Sequence, residues 1–572
     1  MIWIIAILGL AGLAMGYAVY SRLIARRLFD PMDTQPTPAN TMRDDRDYTP
    51  ANPVILFGHH FASIAGAGPI VGPLIAVLYF GWLPAVLWIV FGSIFLGGVH
   101  DFAALMISVR NRAGSIASIS GKVVVRRTGI LFSIFVYLTL ILVIAVFARV
   151  TAATFVRKPA IVLPTAGLIL LAPIFGFLVY RVRVSVVIAT VGAMTLLAGM
   201  IFLGEKLPIT LPRSLAGLDP GQQWFILLMV YSYIASILPV WLLLQPRDYL
   251  SMWILFVGLA MGYFTVFTTS PGLNVPRFTS GLDSIHHVLP LWPMLFVIIA
   301  CGAISGFHSL VAGGTTSKQL ALESQARPIG YGGMLMEGVL AFMVVLLVAG
   351  GLHWDPAMKD HLLGYQFLMS STQGGGPIVT FGAAFGAMAD KAPALTYAIG
   401  LYMGMIMLNA FVLTSLDTST RLARFIMQEF AIERKGLWQL LANRHGATLL
   451  TVLAASWFGL SGSYQVIWNL FGAANQLVAA LTLMIASAYL VGVKRPKWYT
   501  LGPGIFMSIT TIGALLVNIY QGVLLWTSKP DSHVSILIRM GIAIMLIFLA
   551  ILVFYDAMGF IFSKRKTVKQ RQ

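Results

Sequence analysis

Fifteen apolar runs, most of them close to the ~20 residues a helix needs to cross a bilayer, constrain this chain more than any other feature of its sequence. They fall at about 2–20, 54–80, 82–109, 128–154, 161–180, 184–203, 222–245, 250–270, 289–315, 331–352, 392–416, 446–461, 466–490, 499–521 and 535–561. The run 446–461 is short for a span, and no soluble domain lies between the runs. Charged residues make up 10% of the 572 positions, against about a quarter in a soluble domain. Too few charges remain to cover a water-facing surface. The expected fold is an all-α polytopic membrane protein with about 15 transmembrane helices.

The net charge of +18 would suggest a nucleic-acid partner in a soluble protein. In a membrane chain the bland explanation is stronger: Lys and Arg collect in cytoplasmic loops and meet anionic lipid, so the partner is the bilayer and no nucleic acid is expected. With the N-terminus outside and the spans alternating, 28 of the 38 Lys and Arg residues fall in inner segments. The C-terminus is then cytoplasmic, in a bacterial-type inner membrane. Arg22, Arg26 and Arg27 follow the first apolar run instead of preceding it. A signal peptide has the reverse order, so residues 1–30 read as a retained peripheral helix. Cys301 is the single cysteine, which leaves no intrachain disulfide and no basis for cysteine zinc chemistry. The outer segment 353–391, with Gly374-Gly375-Gly376-Pro377, predicts a re-entrant or interfacial helix, and the basic tail 564–572 faces lipid or is disordered.

Four features break the apolar pattern. In Gly58–Pro73 (GHHFASIAGAGPIVGP) glycine and proline are dense enough to unwind a helix. Unwound backbone inside a membrane has to bind something or line a cavity. A kinked packing helix is the plainer alternative. Candidate binding residues here are His59, His60, Ser63, Gly66, Ala67, Gly68 and Gly72, with Gly66–Gly72 expected to be non-helical. The second feature, Leu238–Tyr249, brackets Trp241 and Gln245 with two prolines and ends in Arg247-Asp248, expected to pair at the cytoplasmic rim. The third offers Ser305, His308, Ser309, Thr315 and Thr316 as oxygen or imidazole ligands, unless the hydroxyls simply bond their own helix carbonyls. Asp101, Glu337 and Asp417, near span ends, complete the set, with pairing to loop Arg or Lys as plausible as proton transfer.

Spans two to six and seven to eleven make two sets of five. Five is odd, so the sets run in opposite directions, and the first span of each carries helix breakers. That topology is the signature of an inverted repeat with a central site. It divides the chain into residues 48–203, 222–416 and four additional helices over 446–561, behind the N-terminal helix.

Several blocks in the same order resemble the CstA (carbon starvation protein A) family of bacterial membrane transporters. They are Leu56–Ala76 (LFGHHFASIAGAGPIVGPLIA), Val99–Ala103 (VHDFA), Leu238–Ser251 (LPVWLLLQPRDYLS), Ala300–Leu320 (ACGAISGFHSLVAGGTTSKQL), Gly330–Gly338 (GYGGMLMEG), Leu416–Met427 (LDTSTRLARFIM) and Trp468–Gln476 (WNLFGAANQ). The resemblance implies a LeuT/APC-like fold with a 5+5 core. It also implies uptake of peptides or pyruvate under nutrient limitation, driven by a proton gradient, with no cofactor and no enzymatic activity.

A carboxylate substrate needs a partner, and no Lys or Arg lies inside Gly58–Pro73. Backbone N–H groups at a half-helix N-terminus can supply one. The coupling proton is expected on His60 or His308. The alternative is a sodium ion among the carbonyls of 64–68 and the hydroxyls of Ser305, Ser309, Thr315 and Thr316. A metabolite sensor and an intramembrane metalloenzyme are weaker readings. The first lacks a signalling domain. The second fails because His59 and His60 are adjacent and point to different faces of one helix.

Overall fold

The computed structural model describes all residues except 1, 270, 280–288, 355–367, 370–375, 433, 437, 461–463, 529–532 and 563–572. Its helices run in the order α1 (Ile2–Phe29), α2 (Pro53–Ala65), α3 (Gly68–Phe80), α4 (Trp82–Arg110), α5 (Arg126–Arg157), α6 (Pro159–Val182), α7 (Val186–Lys206), α8 (Pro220–Ile237), α9 (Leu244–Thr269), α10 (Leu291–Ile298), α11 (Gly306–Gly314), α12 (Glu323–Gly351), α13 (Gly376–Asp390), α14 (Tyr397–Ala431), α15 (Arg444–Leu460), α16 (Tyr464–Gly492), α17 (Trp498–Ser528) and α18 (His533–Phe562). Short helical turns at 38–41, 116–123 and 438–442 join them.

Among the described residues, 12 helices are long and apolar enough to cross a membrane, counting α2 and α3 as one. Three of the fifteen expected spans differ. The run 222–245 stops at Ile237, because Pro239 forces Leu238 into an extended conformation (ψ 154°) and ends the helix. The run 289–315 is split into α10 and α11 by a non-helical stretch, 299–305. The run 446–461 forms α15, of 17 residues. Conversely, α14 continues 15 residues past the expected end at 416. Hydropathy stops there because Asp417, Arg421 and Arg424 follow, yet all three are buried against partners. Of the segment 353–391, the described helix α13 packs between α12 and α14. The rest of that segment, and the tail 564–572, lie mostly or wholly outside the described residues.

The bundle is apolar outside and polar at its centre. α7 exposes Val187, Ile188, Val191, Leu196 and Phe202, a face suited to lipid. The buried set instead holds His59, His60, Asp101, Arg247, Asp248, His308, Glu337 and Asp417, each 0% exposed. Helices approach closely where glycine permits. A Cβ on Gly306 would lie 2.2 Å from the Asn475 carbonyl oxygen, so α11 meets α16 backbone to backbone.

Four basic segments gather at one end of the bundle. Arg110 donates two hydrogen bonds to Glu323 (3.0 and 2.9 Å), and Ser115 N–H donates to Glu429 (3.2 Å). Asp47 accepts from Arg421 Nη1 (2.8 Å) and Arg424 Nη2 (3.0 Å). The Lys318 ammonium sits 3.2 Å from the Phe425 ring centre. α1 ends here, where Arg110 bonds the Phe29 carbonyl (2.9 Å), while Ile2 lies at the other end beside Gly350.

The loop carrying Asp47 thus latches this end. Burial opposes ionisation of Asp47, but the charges of Arg424, Arg421 and Lys318 outweigh it and hold the carboxyl below its usual value. A depressed carboxyl contributes stability above its unfolded pKa of ~4. That contribution is lost as pH falls through the lower folded value, so the latch is intact at neutral pH. Asp47→Asn is expected to destabilise the protein by about 2 kcal/mol, because it leaves two buried guanidiniums without their carboxylate. A cysteine introduced at Ser415 should then react faster with thiol reagents from that end. Unchanged reactivity and an unchanged melting temperature would remove the latch.

Candidate functional site

The break between α2 and α3 is confined to Gly66 and Ala67. Gly66 has φ +45°, a conformation that suits glycine. Helix resumes at Gly68 and continues through Gly72, which corrects the expectation of a non-helical Gly66–Gly72. Pro69 sits in the first turn of α3, where a missing N–H costs nothing. The last carbonyls of α2 have lost their in-helix partners, and α14 supplies replacements. Thr414 Oγ1 donates to Ala62 O (2.6 Å) and Ser415 Oγ to Ser63 O (3.1 Å).

One to two turns before the break, α2 meets a buried charge group. His59 Nδ1 donates to Asp248 Oδ2 (2.7 Å), as does Ser63 Oγ (2.9 Å). Arg247 donates from Nε to Asp248 Oδ1 (3.1 Å), and Nη2 bonds the same oxygen. Its Nη1 bonds Asp417 Oδ2 and the Tyr231 hydroxyl (2.6 Å), and Tyr231 in turn donates to Asp417 Oδ2 (2.7 Å). Asp417 Oδ1 has no hydrogen-bond partner among the described residues. Arg247 and Asp248 do pair, but packed against the middle of α2 instead of at an exposed rim. Pro246 occupies the first turn of α9, so the helix starts early enough to carry both side chains inward.

A second buried group lies on the other face of α2. Asp101 accepts from His100 Nδ1 (2.7 Å) and His308 Nδ1 (2.8 Å), and His308 Nε2 lies 2.9 Å from Glu337 Oε2. Asp101, Glu337 and Asp417 therefore pair with His and Arg inside the bundle, not with loop cations. His60 Nδ1 is 2.8 Å from Thr316 Oγ1, so the adjacent His59 and His60 serve different groups.

The remaining expected residues divide. Gly66 lies against Ser415 Oγ and Gly68 against Cys301, while Gly72 approaches the Ile298 carbonyl. Gln245 Oε1 accepts from Tyr180 (2.9 Å). Trp241 is not at the centre: it is half-buried, bonds the Asp45 carbonyl (3.0 Å) and lies under Arg181. The third feature's hydroxyls do not converge. Ser305 bonds Asn475 (3.0 Å), Ser309 the Gly306 carbonyl (2.7 Å) and Thr315 the Val311 carbonyl (3.1 Å). For Ser309 and Thr315 the bond to the same helix is the observed one. Arg247 and Asp417 were visible as charges in the sequence, but as rim residues. Asn475, on α16, carried no signal beyond lying in one of the shared blocks.

An apolar bundle closed around buried, mutually paired charges on broken helices defines a multi-pass membrane transporter. The family model described as carbon starvation protein CstA matches residues 1–359 and 365–514, and the chain belongs to the CstA family. The peptide transporter CstA of Campylobacter jejuni is 30% identical, over 87% of this chain and 77% of that protein. That of Escherichia coli is 32% identical, over 87% and 78%. The pyruvate/proton symporter BtsT of Escherichia coli is 30% identical, over 89% and 80%. Among solved structures, a manganese transporter of Eremococcus coleocola superposes with a TM-score of 0.51, over 90% of this chain and 99% of that one, at 14% identity. At that identity the likeness is one of fold alone. The chain is a transporter and not an enzyme.

Proposed function

We propose that this chain imports a small carboxylate, pyruvate or a short peptide, together with a proton, in carbon starvation. Arg247 receives the carboxylate and Asp417 the proton. The observation behind this reading is the fully buried guanidinium between Asp248 and Asp417, one to two turns from the break, with Asp417 Oδ1 unpartnered. The expectation of a proton on His60 or His308 gives way to Asp417, because Asp417 bonds the cation that would bind the substrate.

Two carboxylates share one guanidinium, so Arg247, Asp248 and Asp417 together carry one excess negative charge. A proton on Asp417 releases part of Arg247, and a substrate carboxylate can take its place. Proton and anion together leave the net charge unchanged. A monocarboxylate and one proton then cross without net charge, driven by the pH difference and not by membrane potential. Relatives named for peptide transport and for pyruvate/proton symport share this substrate chemistry, since both cargoes bear a carboxylate. The same reading keeps the inverted grouping of 54–203 and 222–416, with the first span of each interrupted (66–67 and 238–243). It also places the latched, basic end in the cytoplasm.

In proteoliposomes, pyruvate uptake should rise as external pH falls, collapse with a protonophore, persist without sodium, and ignore an imposed potassium diffusion potential. A dipeptide tested alongside decides between the two cargoes. Uptake that needs sodium and survives the protonophore under a sodium gradient would overturn the proton assignment.

A further inference from the structure

We infer that Cys301, His308 and Glu337 bind a zinc-type divalent cation, a site that lies outside the Arg247 group and shares no residue with it. One ligand atom from each residue lies within 4.8 Å of the other two, and all three side chains are buried. Dismissing cysteine zinc chemistry from a lone cysteine considered spacing along the chain. Here the partners come from α11 and α12, and Cys301 itself lies in the break between α10 and α11.

The hydrogen bonds around the three residues favour an ion over a simple pair. With Nδ1 on Asp101 (2.8 Å), His308 presents Nε2 to the site, and a cation bound there would take that nitrogen's lone pair. That nitrogen lies 2.9 Å from a Glu337 oxygen, yet the approach is not aligned as a hydrogen bond. His308 Nε2, Glu337 Oε1 and Glu337 Oε2 all lack a hydrogen-bond partner among the described residues. A proton on Nε2 is not aimed at the carboxylate, whereas a cation off the line between the two atoms can bond both. Cys301 Sγ completes the set, with the Asn475 amide Nδ2 at 3.6 Å as a donor able to stabilise a thiolate.

Charge agrees. A divalent ion neutralises the Cys301 thiolate and the Glu337 carboxylate, while Asp101 keeps two imidazole donors, His100 and His308. A carboxylate on the far nitrogen of a ligating histidine is the usual support for a zinc ligand. Thiolate, imidazole and carboxylate together suit Zn²⁺ and not Mg²⁺ or Ca²⁺, which prefer oxygen throughout. Three protein ligands leave a four-coordinate ion one open position. The ion would tie the 299–305 break to α12, and through the Cys301–Gly68 contact to the start of α3.

The test uses the full chain, purified without chelator or added metal and without a nickel column. Elemental analysis should find about one zinc per chain, and X-ray absorption should show one sulfur at ~2.3 Å with nitrogen or oxygen near ~2.0 Å. Replacing zinc by Co²⁺ should give a thiolate-to-cobalt band in the near ultraviolet that is absent in Cys301→Ser. Glu337→Gln should bind Co²⁺ at least tenfold more weakly. The spectroscopy of the unaltered chain stands even if a variant fails to fold. No stoichiometric metal and no cobalt band would overturn the site. So would zinc lacking a sulfur neighbour and retained in Cys301→Ser, which is an adventitious ion only.

Discussion

Arg247→Lys is expected to lower pyruvate uptake in proteoliposomes by at least about 100-fold, equivalent to ~2.7 kcal/mol, while the protein still inserts in the membrane. The substitution keeps the charge and removes the fork. Arg247 bonds Asp248 through Nε and Nη2 and Asp417 and Tyr231 through Nη1, from one planar group. A lysine ammonium is a point donor on a flexible stem and cannot hold both carboxylates in that geometry. The site would lose the arrangement in which protonation of Asp417 exposes a cation to the substrate. Because a positive charge stays between the carboxylates, the fold should suffer less than with an apolar replacement, which strands two buried charges at about 3–5 kcal/mol. A melting curve in detergent separates misfolding from lost binding. Uptake within threefold of the unaltered chain would remove Arg247 from the substrate path.

Gly68→Leu should abolish uptake for a different reason. A Cβ at Gly68 would lie 2.5 Å from Cys301 Sγ and 2.6 Å from Cys301 Cβ, well inside contact distance. A leucine pushes the start of α3 away from the second broken helix. Overpacking of this kind costs about 1–3 kcal/mol, which a bundle this large should survive. The expected result is folded, membrane-inserted protein with no measurable uptake. Gly68→Ala, which carries the same Cβ without the rest of the leucine, should retain a small fraction. Normal uptake by the leucine variant would show that the close approach at Gly68 has no part in transport.

Much of the architecture was legible because it depends on local chemistry. A run of apolar residues crosses a membrane whatever its neighbours are, and so twelve of the expected spans reappear as long helices. The break at Gly66 was legible for the same reason, although its length was not: Pro69 favours a first helical turn as readily as it interrupts a later one. The end of α14 was misjudged because Asp417, Arg421 and Arg424 read as loop charges until their partners are known.

Those partners are distant along the chain. His59 and Asp248 are 189 positions apart, and Asp101 and His308 207. Hydropathy and spacing show that a membrane chain keeps a few costly polar side chains, and that cost already marks them as functional candidates. Which charge neutralises which follows only from how the helices pack. In a low-dielectric interior a charge is tolerated only beside its partner, and pairings over such separations are set by the folded bundle. The amino-acid sequence determined that this is a many-helix membrane protein with a helix broken near His59 and His60. Tertiary structure alone decided that Arg247 is shared between two carboxylates and that Cys301, His308 and Glu337 come together, because both arrangements join side chains from separate helices.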